Sequence, residues 1–150
     1  MRVSARADYA IRAVAELAAS ESSMTTEMLA ATQDLPRKFL EGILGVLRRE
    51  GIVVSQRGLG GGFRLARPAS EITLADVVRA VDGPLVFVRG ERPSELHYDG
   101  AADDLLKVWV ALRASVRGVL ESVSLEDLAK GTLPAPVTAL LADESAWESH

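Results

Sequence analysis

Apolar residues recur at three- and four-residue spacing over 4–19, where Ala7, Ala10, Ile11, Val14, Leu17 and Ala18 form one face. That period predicts an amphipathic helix. Ser4 is its expected N-cap, because a serine hydroxyl can accept from a free N–H of the first turn. Glu21-Ser22-Ser23 breaks the pattern. A short helix is predicted over 26–33, capped by Thr25 or Thr26, with Met28 and Leu29 inward. Asp34-Leu35-Pro36 is the next break. Proline suits the first helical position, where its missing N–H costs nothing, so Pro36 opens a third helix over 36–50. Phe39, Leu40, Ile43, Leu44 and Leu47 make its expected buried stripe. Arg37, Lys38, Glu41, Gly42, Gly45, Arg48 and Arg49 lie off that stripe. Gly51 ends the helix, as glycine does by turning left-handed.

Residues 52–56 and 63–66 then read as strands. Between them lies Arg57-Gly58-Leu59-Gly60-Gly61-Gly62, a hairpin with a glycine-rich tip. Pro68 closes the unit. Three short helices followed by a two-stranded hairpin is the order of a winged helix-turn-helix. A further helix is predicted over 73–81, with Val77, Val78 and Val81 inward and Asp82-Gly83-Pro84 as its stop. Residues 84–100 read as an irregular loop. A long helix over 101–122 carries Leu105, Trp109, Leu112, Val116 and Val119, with Val123 beyond, in the alternating four-three spacing of a coiled-coil seam. Residues 124–128 form a capped short helix, and a partly mobile tail is expected from Gly131. The expected fold class is mostly α with a small β-hairpin wing. Its parts are a winged domain at 1–83, a linker at 84–100, a dimerisation helix with a short helix at 101–130, and a tail at 131–150.

A length of 150 residues allows one domain, or one small domain with an appended helix. There is no cysteine, which excludes disulfides, thiolate-held zinc or iron–sulfur centres and cysteine nucleophiles. The chain starts without a signal-peptide pattern and holds no run of about 18 apolar residues, so a cytoplasmic protein without membrane contact is expected. The net charge of −4 hides an asymmetry. Residues 1–67 carry ten Lys and Arg against seven Asp and Glu, whereas 68–150 carry seven against fourteen. Within 36–67 the balance is seven against two, a net of +5. Nucleic-acid binding depends on such a local footprint and not on the global sum.

The helix at 36–50 and the hairpin are the strongest candidate site. Arg37 and Lys38 stand in the first turn, where free N–H groups also favour phosphate. Gly58, Gly60 and Gly61 make a slender wing that lets backbone approach a duplex. Arg57 at its base can enter a narrow minor groove. The competing reading is a solvated basic helix beside an ordinary hairpin. A phosphate cradle needs a helix and Lys-Ser/Thr after the glycines, and here a strand follows. No catalytic constellation stands out around the two histidines, His97 and His150, so an enzyme is not expected. The heptad face must bury somewhere, either on the first domain or against a second copy. Residues 84–100, with Arg89, Glu91, Arg92, Glu95, His97 and Tyr98, read as a solvated linker or as the seat of an effector.

Four segments together resemble the Rrf2 family of winged-helix repressors. They are Met1-Arg2-Val3-Ser4 with Asp8-Tyr9-Ala10; Pro36-x-x-Phe39-Leu40-Glu41-x-Ile43-Leu44-x-x-Leu47; Arg57-Gly58-x-Gly60-Gly61-Gly62-Phe63-x-Leu65; and Ile72-Thr73-Leu74-x-Asp76-Val77-Val78-x-Ala80-Val81-Asp82-Gly83. The resemblance implies a homodimeric, sequence-specific DNA-binding regulator on a palindromic operator, with 36–50 in the major groove and the wing in the minor groove. It implies backbone contacts from Arg2, Ser4 and Tyr9, and recognition by Arg37, Lys38, Glu41, Gly42 and Arg57. Glu41 could accept from a cytosine amino group, or pair with Arg37 or Lys38. The family's sensor members place three cysteines in the stretch matching 86–100, and this chain has none. Asp8 and His97 are the nearest substitute ligands. No cofactor and no metal are therefore expected. The alternative function is a sensor of a metabolite or a protein partner, with conditional or vestigial DNA binding.

Overall fold

The computed structural model describes residues 1–149; His150 lies outside them. Seven helices and one hairpin follow in order: α1 (Ala5–Ala19), α2 (Thr26–Gln33), α3 (Arg37–Arg49), β1 (Val53–Gln56), β2 (Gly62–Leu65), α4 (Leu74–Asp82), α5 (Leu105–Leu120), α6 (Leu125–Lys130) and α7 (Ala135–Leu141). Among the described residues no helix is long and apolar enough to cross a membrane.

α1 is the hub. Ser4 caps it, accepting from the Ala7 N–H at 2.9 Å. Ala7, Ala10 and Ala13 are fully buried, and their small side chains let α3, α4 and α6 pack close. α2 is capped by Thr25 and ends at Asp34, which adopts the left-handed conformation (φ 51°) that aspartate tolerates. The chain then turns over buried Leu35, and Pro36 serves as the N-cap of α3, one residue before its predicted position. Its extended ψ of 114° keeps it out of the helix. Leu40, Ile43, Leu44 and Leu47 are buried as the stripe predicts. Each such burial contributes roughly 1.5–3 kcal/mol.

Two inward assignments fail. Phe39 is 47% exposed, and so is Met28. At 100° per residue, Phe39 sits roughly 90° from the centre of the α3 stripe. Its ring instead meets Tyr9 edge-on, with centroids 5.6 Å apart. Met28 is likewise one residue off the buried pair Leu29 and Ala30.

The C-terminal half departs further from its sequence pattern. Loop 84–100 is not merely a solvated linker: Val86, Pro93 and Leu96 are buried. It contains a tight turn in which Val88 and Glu91 exchange backbone bonds around Arg89 and Gly90, both at positive φ. The Trp109 indole N–H donates to the Tyr98 hydroxyl at 3.1 Å and ties this loop to α5. α5 starts at Leu105; Gly100–Ala102 is a 3₁₀ turn and not the predicted start of the long helix. α6 leaves α5 and returns to α1. Leu125 is fully buried in the first core, and Leu74 and Leu125 donate to Val123 and Ile72 across the joint. The tail contains a further short helix, α7. Pro134 and Pro136 fall at the N-cap and second position of α7, where a missing N–H is harmless.

Candidate nucleic-acid interface

The wing is built by steric necessity. β1 and β2 pair antiparallel in the register Val53 with Leu65 through Gln56 with Gly62. The Gly61 N–H closes the tip on the Gly58 carbonyl at 2.9 Å. A Cβ at Gly61 would stand 2.5 Å from the Gln56 carbonyl oxygen and 2.7 Å from that of Gly58. Gly62 has φ +133°, and a Cβ there would stand 2.5 Å from the Met24 carbonyl oxygen. That carbonyl accepts from the Phe63 N–H at 2.7 Å, while Met24 donates back at 2.9 Å. One residue before α2 thus acts as a third strand and fastens the wing to the helical core. Sequence reasoning missed Met24, and no alternation marks a single bridge.

The basic side chains divide into tied and free. Arg37 pairs with Glu27 of α2 at 2.5 Å and with Glu41 one turn on at 3.3 Å. So the ion-pair reading of Glu41 holds in the unbound protein. Such exposed pairs are worth at most about 1 kcal/mol, so a phosphate can displace them. Lys38 and Arg57 are exposed and have no partner among the described residues. They lie at the first turn of α3 and at the base of the wing. Gly42 is open, with nothing within 4 Å of an added Cβ, so α3 presents bare backbone there.

The N-terminal candidates differ among themselves. Arg2 is exposed. Ser4 has its hydroxyl engaged on both sides, accepting from Ala7 and donating to Asp82. Tyr9 is half-buried between Phe39 and the Arg12 guanidinium, its hydroxyl facing no described partner. Asp8 pairs with Arg12 at 3.3 Å, and His97 with Asp99 at 3.1 Å.

A sequence model of Rrf2, described as an iron-dependent transcriptional regulator, matches residues 3–131. The chain belongs to the Rrf2 family. Rv1287 of Mycobacterium tuberculosis, which carries the name of an HTH-type transcriptional regulator, is 49% identical over 151 residues, covering 99% of this chain and 94% of its own. The HTH-type transcriptional regulator CymR of Bacillus subtilis is 31% identical over 88% of this chain and 92% of its own. The solved structure of that protein, described as a global cysteine regulator, superposes with a TM-score of 0.75 over 88% of this chain and 98% of the CymR chain. IscR of T. potens superposes with a TM-score of 0.71 at 28% identity, over 100% of this chain and 93% of that one. This Rrf2 protein is a DNA-binding winged-helix transcriptional regulator and not an enzyme.

The iron in the family's description has no fitting donor set here. The chain lacks thiolates, and no group of three His, Cys, Asp or Glu gathers among the described residues. Asp8 and His97 each spend a side chain on a neighbour. The residues do not fit an iron–sulfur cluster.

Proposed function

We propose that this regulator is a homodimeric repressor that binds a two-fold operator in the cytoplasm without an iron–sulfur cluster. α3 enters the major groove and the wing enters the minor groove. The observation that carries the reading is the pair of unpartnered cations, Lys38 and Arg57, at the two elements that a winged helix puts on DNA. The dimer has separate support. α5 has no fully buried residue, and its seam residues Leu105, Trp109, Leu112, Val116 and Val119 are all only half-covered. Val108 beside them is 54% exposed. An apolar groove of about 440 Å³ also runs beside α5, with Val3, Phe87, Val116 and Leu120 in its wall. A second copy of the chain would cover both.

Titration of a selected operator over a range of salt concentrations tests the DNA contacts. Lys38→Ala weakens binding to all sequences and reduces the slope of log K against log salt by about one. Arg57→Ala costs about 1–3 kcal/mol, and more on the operator than on random DNA. Wild-type affinity in both variants would remove α3 and the wing from the interface.

A further inference from the structure

We propose that the cleft between α4, loop 84–100 and α5 binds a small organic anion bearing two or more carboxylate or phosphate charges. Its volume is about 450 Å³, within the range of small-molecule sites. Arg79 comes to it from α4, Arg92 from the loop, and Arg113 and Arg117 from α5.

The charge balance at these four side chains is one-sided. Arg79 and Arg117 share one carboxylate, that of Glu121 at the end of α5, with Arg117 at 3.0 Å. Their hydrogen bonds hold Glu121 below the usual carboxylate range, so it stays ionised. Arg92 and Arg113 have no carboxylate within ion-pair distance among the described residues. Arg113 meets only the Ser94 hydroxyl, at 3.5 Å. Only Glu121 pairs with these guanidinium groups, while the Glu95 carboxylate accepts from the Arg92 backbone N–H at 3.4 Å, so the cleft lining itself is basic in a chain of net charge −4. Like charges drawn together repel unless an anion joins them. Planar guanidinium forks match carboxylate and phosphate oxygens two at a time. A concave wall concentrates the field further. The carbonyls at the C-terminal end of α4, near Gly83, oppose an anion, but by a fraction of a unit charge.

Part of the lining is apolar. Leu85 and Val86 form it beside Pro84. That surface suits a carbon skeleton, so the fitting ligand is organic and not a bare inorganic oxyanion. The same three residues also line the apolar groove beside α5. An anion held in the cleft thus fixes the strip of chain between the winged unit and α5. On the homodimer reading above, that makes the cleft an effector site.

The test uses purified full-length protein without DNA. Citrate and inorganic phosphate are titrated separately by calorimetry, with ionic strength held constant by chloride. The expected result is one saturable citrate site per chain, tighter than phosphate. The double variant Arg92→Gln/Arg113→Gln weakens citrate at least about tenfold, since two of the charge-assisted donors are gone. Its thermal unfolding checks that it remains folded. Glu121→Gln removes the internal competitor and tightens citrate several-fold. Absence of citrate binding up to about 10 mM, which is weaker than a multidentate arginine site gives, overturns the proposal. So does equal affinity in the double variant. Because the readout needs no operator, a failure here leaves the repressor reading standing. Failure to bind DNA with citrate binding intact would count against that reading alone.

Discussion

Gly62→Ala is expected to lower stability by about 2–4 kcal/mol, a loss of roughly 5–15 °C in Tm for a chain of this size. Two costs combine. The backbone at φ +133° lies where side-chain-bearing residues are strained. The new methyl group would also meet the Met24 carbonyl oxygen at 2.5 Å. That oxygen cannot retreat, because it accepts the Phe63 N–H, and Met24 is fixed in turn by its own bond to Phe63. Relief therefore requires the wing to detach from the segment before α2. DNA affinity falls with it, since Arg57 is aimed by the same hairpin. Gly42→Ala is the control. That glycine is helical and open, so the substitution stabilises by roughly 0.5–1 kcal/mol. Differential scanning calorimetry of the two variants distinguishes them by sign. Equal effects would mean that the Met24 bridge does not hold the wing.

Leu112→Glu is expected to dissociate the dimer, raising its dissociation constant at least about 100-fold. Leu112 is in the middle of the half-covered α5 seam, and a carboxylate there would lose its water without gaining a partner. Because Leu112 also has intramolecular neighbours, Val108→Glu is the companion variant. Val108 is 54% exposed in the single chain, so its replacement leaves the monomer intact. Sedimentation velocity reports mass, and circular dichroism reports folding. Both variants should be folded monomers with operator affinity reduced to that of a single winged domain. Two folded dimers would put the interface elsewhere than α5.

The parts legible in the sequence were those set by short-range rules. The α3 stripe, the Ser4 cap and the glycine hairpin each follow from spacing within one element, and all three stand in the fold. Errors fell where a neighbour from another element decides. Phe39 has an apolar side chain but lies at the edge of its stripe, and Tyr9 of α1 completes its environment. α6 follows α5 directly in the chain. Yet Leu125 finds its place against α1 through a backbone joint with Ile72, far away in sequence. The arginine cleft was invisible for the same reason. Arg113 and Arg117 share a face of α5 at i,i+4, but Arg79 and Arg92 join them only when α4, the loop and α5 pack.

Selection of genomic fragments shows whether the protein reads a two-fold DNA site as a dimer. Purified protein is mixed with sheared genomic DNA at near-physiological salt, and the retained fragments are sequenced. The salt matters because phosphate contacts alone retain any sequence when it is low. The expected result is enrichment of one two-fold motif, with half-sites about one helical turn apart. Enrichment of no motif, from protein shown to be folded and dimeric, would contradict it.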